Sequence, residues 1–193
     1  MNKTSHSRRK QRRAAQSPPR RPGNHLKVEF SEQQIRQRVR QLARQITRDY
    51  EGKSLHIVGV LDNCLVFLSD LLRALEVPAG CSLISTRTRD SDAGSVSIRE
   101  ISYVPPVDLA GKDILLLDGV LQSGVTLDYL HRMLLAQHPA SLRTAALIDK
   151  SDERKVDVPL DYTGFKVSKG FLVGYGLAFQ EQYRGLPYLA RFG

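Results

Sequence analysis

The sequence contains no tryptophan and only two cysteines and two methionines among its 193 residues. Two cysteines are too few for the disulfide framework of a small secreted domain. Cys64 and Cys81 both lie in apolar segments, so we expect buried free thiols in a reducing compartment. No apolar run approaches the roughly 18 residues of a membrane-spanning helix, and the amino terminus lacks a secretion signal's hydrophobic core. These absences predict a cytoplasmic protein with no membrane partner.

Acidic residues are absent from residues 1–28, which hold nine of the 29 Lys and Arg residues. The remaining residues have equal numbers of bases and acids, so the formal charge of +9 belongs to this segment. Its Ser, Gln, Pro and Arg content predicts a disordered basic N-terminal arm. Such an arm can bind nucleic acid electrostatically or be a solvated tail without a specific partner, and the residues leave both open. A transit peptide is a weaker alternative, because the bases show no amphipathic spacing.

Residues 29–193 predict one α/β domain. Residues 31–34 form a capping-box sequence, and helical apolar spacing follows from Ile35. Short apolar runs predict buried strands at residues 55–61, 81–86, 114–117 and 142–149. We expect a mainly parallel twisted sheet with helices on both faces, covered by a small C-terminal hood at about residues 160–193.

The central stretch, residues 113–126, has the sequence D-I-L-L-L-D-G-V-L-Q-S-G-V-T. Its apolar run predicts a buried strand that ends at Asp118 and Gly119. A polar loop, residues 122–126, then leads into a helical pattern. Backbone N–H groups at a helix N-terminus bind anions, and the loop's Ser and Thr hydroxyls add donors. The local pattern taken alone fits an ordinary strand–loop–helix connection equally well or better.

The chain as a whole resembles a known family. The sequence L-L-L-D-G-V-L-Q-S-G-V-T-L resembles the phosphoribosyl-diphosphate-binding loop of type I phosphoribosyltransferases. Residues 171–188, F-L-V-G-Y-G-L-A-F-Q-E-Q-Y-R-G-L-P-Y, are similar to the C-terminal signature of hypoxanthine-guanine phosphoribosyltransferases. The resemblance runs from about Phe30 to the end in the family's order. It implies a type I phosphoribosyltransferase fold, Mg²⁺ as cofactor, purine and phosphoribosyl ligands, and a homodimer or homotetramer.

The resemblance also assigns binding residues. It places the 5′-phosphate on four loop residues: Ser123, Gly124, Val125 and Thr126. It assigns the purine to three others. Lys150 would bind the 6-oxo group, Phe171 would stack on the base, and Leu172 would contact the base through its backbone.

Several expected acids are replaced. Asp118 matches the first acid of a pair that holds the ribose and a magnesium ion, but Gly119 stands at the second. Gln122 occupies the place of the acid that takes the purine N7 proton, and an amide is no base at neutral pH. Ala178 replaces an Asp that holds a second magnesium ion, and alanine has no ligand atom. The sequence therefore predicts a reduced capacity for proton transfer and for magnesium binding.

Of the positions that match the family's pyrophosphate contacts, two have different residues and one is retained. Asp62 and Asn63 stand where the family has a lysine followed by glycine, and a carboxylate repels pyrophosphate. Arg184 matches the pyrophosphate-contacting arginine. We expect a protein that binds a purine nucleotide or another phosphorylated ligand, with lost or much reduced transferase activity. The alternatives are an active purine-salvage enzyme and a nucleic-acid-binding regulator that uses the basic arm.

Overall fold

The computed structural model describes residues 26–89, 98–104, 108–168 and 170–192. Residues 1–25 of the expected arm lie outside these ranges. Within them, no helix has the length and apolar character needed to cross a membrane. The strands, in chain order, are β1 Leu26–Phe30, β2 Leu55–Val60, β3 Ala79–Arg89, β4 Ile98–Val104, β5 Asp113–Leu121, β6 Ser141–Asp149, β7 Tyr162–Lys166, β8 Leu172–Val173 and β9 Leu189–Phe192.

Six strands form the main sheet in the order β4-β3-β2-β5-β6-β7. β3, β2, β5, β6 and β7 run parallel, and β4 pairs antiparallel with β3 at one edge. In the described ranges, three helices pack on the sheet: α1 Glu32–Asp49, α2 Leu65–Ala74 and α3 Val125–Leu135. This arrangement confirms the α/β fold expected from the sequence.

The central strand β5 is buried on both faces. Leu115 and Leu117 join the core formed with α1 and α2, whereas Ile114 and Leu116 join the core formed with α3. Successive side chains of a strand point to opposite faces, so an unbroken apolar run suits a strand covered by helices on both sides. The predicted helices on both faces are therefore confirmed.

Helix α1 begins where the sequence predicts. Ser31 donates its backbone N–H to Oε1 of Gln34 at 2.8 Å, and the Gln34 N–H points back to Oγ of Ser31 at 3.4 Å, which completes the capping box. One stripe of the helix is buried, consisting of Ile35, Val39, Leu42, Ala43 and Ile46. This stripe packs against the core of the domain, and the opposite face of α1 exposes its arginines.

The hood is a three-stranded antiparallel sheet, in the order β1-β9-β8. Arg191 of β9 forms a two-pronged ion pair with Glu29 of β1 at 2.8 and 2.9 Å. Residues 26–28, which the sequence assigns to the arm, therefore belong to a strand. Conversely, residues 162–165 were expected in the hood but lie in β7 of the main sheet. The buried Tyr162 fixes β7 there, because its hydroxyl bonds to Asp49 at 2.7 Å.

Two further sequence expectations are corrected. β5 continues to Leu121 instead of ending at Asp118, because the strand goes on pairing with β6 through residues 120 and 121. Cys64 is buried as expected, but Cys81 is exposed. Side chains alternate along β3, and Ser82 is the buried neighbour, so Cys81 points to the opposite, open side.

Candidate functional site

The loops that follow β2 and β5 leave the same edge of the sheet, because parallel strands place their carboxyl ends together. Between these loops lies a cavity of about 260 Å³. Its lining includes Asn63, Asp118, Gln122, Ser123, Gly124 and Thr126. The structure thus brings together residues predicted to contact phosphate, ribose and pyrophosphate. Their individual roles remain predictions.

The phosphate loop, residues 123–126, is held in place at Ser123 and Gly124. Gly124 is the N-cap of α3 and has a φ of 82°, in the left-handed region that favours glycine. A Cβ on Gly124 would lie 2.5 Å from the carbonyl oxygen of Val156. Ser123 accepts hydrogen bonds from the N–H groups of Lys155 and Val156 at 2.9 and 3.1 Å. The loop therefore presents the positive N-terminal end of α3 to the cavity.

Asp118 lies in the cavity wall. Its Oδ1 faces the backbone N–H of Val120 at 3.4 Å. Burial raises the pKa of Asp118 from 3.8 to about 6, and hydrogen bonds from the N–H groups of Val120 and Gly119 oppose the rise. This carboxyl group therefore holds its proton to a higher pH than an exposed aspartate does.

This property gives a pH dependence of stability. Between about pH 4 and pH 6 the folded chain binds more protons at Asp118 than the unfolded chain, so the free energy of unfolding falls as the pH rises. The rise in pKa from 3.8 to about 6 corresponds to about 3 kcal/mol. Urea denaturation at several pH values measures how steeply the free energy of unfolding falls with pH. We expect Asp118→Asn to reduce this slope, whereas Asp157→Asn, at an exposed position, should leave it unchanged. Equal slopes in both variants would contradict the assignment.

The residues at the expected magnesium positions fit the ion poorly. Asp118 supplies one carboxylate, but Gly119 and Ala178 supply no ligand atom. A Cβ at Gly119 would lie 2.4 Å from the carbonyl oxygen of Asn63, so the neighbouring loop fills the space that a second acid needs. Across the described parts of the chain, no three His, Cys, Asp or Glu side chains form a group able to hold a metal ion. We therefore assign no reaction step to Mg²⁺.

Arg184 joins the two residues of the expected pyrophosphate turn. Its Nη1 donates to the carbonyl of Gly176 at 2.6 Å and to Oδ1 of Asn63 at 3.3 Å, and its Nη2 lies 3.5 Å from Oδ2 of Asp62. The three predicted pyrophosphate residues are thus neighbours. The sequence did not reveal that Asp62 pairs with Arg184. The Asp62 side chain is 74% exposed, so this ion pair is weak and a stronger anion can displace it.

The predicted purine residues lie on two elements. Lys150 is buried at the end of β6, and Leu172 is buried in β8. Phe171 is half exposed and belongs to an aromatic cluster that the sequence analysis missed. Its ring centroid lies 5.5 Å from that of Phe179 and 6.4 Å from that of Phe192. The cluster supports Phe171 from the side, which leaves part of its ring open to a stacking partner.

Glu153 is a second residue that the sequence analysis missed. It ends a 3₁₀ turn, Ser151–Glu153, directly after Lys150. Its Oε1 lies 3.4 Å from Nζ of Lys150, and its Oε2 accepts a hydrogen bond from Nε2 of Gln122. The spacing of three residues from Lys150 was visible in the sequence. The contact with Gln122 was not, because the two residues are 31 positions apart.

Comparisons with known proteins agree with this arrangement. The family model of the phosphoribosyl transferase domain matches residues 30–180 of the sequence. A hypoxanthine-guanine phosphoribosyltransferase of Dictyostelium discoideum is 39% identical over 166 residues, which cover 84% of this chain and 92% of the relative. A solved hypoxanthine-guanine phosphoribosyltransferase of Bacillus anthracis superposes with a TM-score of 0.80 at 30% identity, covering 88% of this chain and 99% of that one. The hypoxanthine phosphoribosyl transferase of Trypanosoma cruzi gives 0.81 at 28% identity, covering 90% and 94%.

Proposed function

This chain belongs to the hypoxanthine-guanine phosphoribosyltransferase family, and from that premise we propose that it transfers a phosphoribosyl group to a purine base at a reduced rate. The observation that carries the proposal is the intact phosphate loop, which stands at the N-terminus of α3 beside Asp118. A loop of this kind binds the 5′-phosphate of a substrate or product through backbone N–H groups. The identity to proteins that bear the enzyme's name favours turnover over simple binding.

In the proposed reaction, a purine nitrogen attacks the anomeric carbon of phosphoribosyl diphosphate and pyrophosphate leaves. The phosphate loop holds the 5′-phosphate, while Arg184 and Asn63 face the leaving group. Lys150 donates a hydrogen bond to the 6-oxo group, and Phe171 stacks on the base. These contacts position the two reactants, which by itself supplies a large share of the acceleration of a bimolecular reaction.

The chemical step should be slow for a family member. Gln122 cannot accept a proton, and Gly119 and Ala178 cannot help to balance the charge of the diphosphate. The loss of one general acid or base costs roughly a hundred- to ten-thousand-fold in rate. We therefore propose efficient nucleotide binding combined with slow turnover.

A turnover assay tests the proposal. The full chain, given hypoxanthine or guanine with phosphoribosyl diphosphate and magnesium, should form the nucleoside monophosphate above the uncatalysed background. Lys150→Met should lower kcat/KM by about tenfold or more, because a buried donor to the 6-oxo group is lost. Lys166→Met removes an exposed lysine from the end of β7 and should leave kcat/KM unchanged. A complete absence of product in the unmodified chain contradicts the proposal.

A second candidate is a nucleotide-binding regulator without turnover. The close approach of Asn63 to Gly119 favours it, since the space for an acid is filled by backbone. Calorimetric titration with inosine and guanosine monophosphates separates the two candidates, because only the regulator combines tight binding with an absence of product. The nucleic-acid alternative rests on the composition of residues 1–28 alone and stays a prediction.

Self-association is also proposed on the family's behaviour. The T. cruzi relative was solved to address the role of its C-terminal region in oligomeric state and enzymatic activity. The C-terminal part of this chain forms β8 and β9 of the hood. We propose a homo-oligomer, which light scattering of the purified chain would detect.

A further inference from the structure

We propose that Glu153 is the carboxylate that faces N7 of the purine and takes its proton, in place of the acid that position 122 lacks. This inference rests on the proposed function and deepens it: Glu153 replaces part of the proton acceptance that position 122 lacks, while the missing acids at positions 119 and 178 keep turnover slow. Its first support is geometric. Glu153 contacts Gln122, which lines the cavity, through one carboxylate oxygen, and it contacts Lys150 through the other.

Phosphoribosyl transfer to a purine needs a proton acceptor near the base, and the other carboxylates around the cleft are poorly placed for that role. Asp118 lies in the β5 wall and is directed to the N–H of Val120. Asp149 is buried and forms an ion pair with Arg154.

Asp62 lies on the pyrophosphate side and pairs with Arg184. Among the carboxylates that the structure describes at this cleft, Glu153 is therefore the one held directly against the amide of Gln122.

The position of Glu153 is fixed relative to the phosphate loop. The N–H of Glu153 donates to the carbonyl of Lys150 at 3.0 Å, and the N–H of Lys150 donates to Leu121 at 2.9 Å. On the other side of the turn, Lys155 and Val156 donate to Ser123. These backbone bonds join the turn to the phosphate loop, so the backbone of Glu153 is anchored beside that loop.

The contact between Glu153 and Lys150 can open when a ligand arrives. At 3.4 Å it is a long ion pair, and the Glu153 side chain is 29% exposed. A purine 6-oxo group that accepts from Lys150 replaces part of this contact. Glu153 then keeps its bond to Gln122 and presents the released oxygen to the base. Asp152 precedes Glu153 in the chain, and Arg154, which follows it, forms an ion pair with Asp149.

The step balances as follows. The lone pair of purine N9 forms the bond to C1′, while the bond from C1′ to the diphosphate oxygen breaks and its electron pair leaves with pyrophosphate. The N7–H bond breaks, its electrons return to the ring, and the proton passes to the carboxylate of Glu153. Solvent removes that proton before the next turnover, and no oxidant, reductant or further reactant is needed.

The first test compares two charge-neutralising variants of the same turn in the full chain. Glu153→Gln should lower kcat by about a hundred-fold or more and leave KM for the base within a few-fold. It should also remove the loss of kcat at acidic pH that the unmodified chain shows when its proton acceptor is protonated. Asp152→Asn removes an exposed neighbouring carboxylate and should change neither quantity.

The second test does not require turnover. Inosine monophosphate carries an unprotonated N7, so its binding should draw a proton onto Glu153, measured by calorimetry in two buffers of different ionisation enthalpy. The uptake should vanish in Glu153→Gln and persist in Asp152→Asn. If the unmodified chain makes no product but shows this pattern, the proposed function fails while the assignment of Glu153 stands. If both variants match the unmodified chain in proton uptake and in any turnover, the assignment of Glu153 is overturned.

Discussion

Gly124→Ala is expected to lower the free energy of unfolding by about 2–5 kcal/mol and to weaken nucleotide binding by at least about tenfold. A left-handed conformation costs a residue with a side chain about 1–2 kcal/mol. Because the new Cβ would lie 2.5 Å from the carbonyl of Val156, overpacking adds about 1–3 kcal/mol. The loop can relieve the overlap only by moving away from residue 156, and even a small displacement of phosphate-binding groups costs affinity.

Gly111→Ala is the matched control for this substitution. Gly111 has a similar φ of 68°, but nothing lies within 4 Å of a Cβ placed there. Gly111→Ala should therefore lower the free energy of unfolding only by the conformational cost, about 1–2 kcal/mol, and keep the nucleotide affinity of the unmodified chain. Urea denaturation measures the stabilities, and calorimetric titration with inosine monophosphate measures the affinities. Equal losses in both variants would show that close packing against Val156 contributes nothing.

The elements of the fold that the sequence predicts well are those coded by local patterns. The capping box at Ser31 and Gln34 needs only neighbours in the chain, and the apolar run at 114–117 marks a strand between two helical layers wherever it occurs. The capping box depends on hydrogen bonds between residues three apart, and the apolar run is a feature of consecutive residues, so both can be recognised without knowledge of the tertiary structure.

The features that the sequence misses depend on partners far apart in the chain. β5 extends beyond Asp118 because β6 pairs with it, and β1 exists because β9, about 160 residues later, completes the hood sheet. No local pattern contains the positions of these partners. The sequence therefore fixes element types well and element ends poorly.

In the candidate site too, residues that are adjacent in the chain were predicted together, whereas contacts between distant residues were missed. The phosphate loop is contiguous, so residues 123–126 were predicted together, and Ser123, Gly124 and Thr126 line one cavity, whereas the side chain of Val125 is exposed. The direct contacts that Arg184 forms with Asp62 and Asn63, and those of Glu153, were not predicted. Arg184 and Asn63 are 121 positions apart, and they meet only because the hood folds back over the β2 loop. The electrostatic character of the site is thus a property of the tertiary structure.

Leu115→Ala is expected to lower the free energy of unfolding by about 2–5 kcal/mol, the range for removing a fully buried leucine and leaving a cavity. Leu115 is 0% exposed and lies in β5, between Ile57 of β2 and Arg143 of β6, under the core shared with α1 and α2. The backbone on both sides is held by neighbouring strands, so the sheet cannot collapse into the space and the loss should fall in the upper half of that range.

Leu135→Ala is the matched control, because this leucine ends α3 and is 48% exposed. It should change the free energy of unfolding by no more than about 0.5 kcal/mol. Both variants should keep the nucleotide affinity of the folded chain, since neither side chain lines the cavity. A loss below about 1 kcal/mol for Leu115→Ala would mean that α1 and α2 repack into the vacated volume, and would contradict the expectation of a rigid cavity.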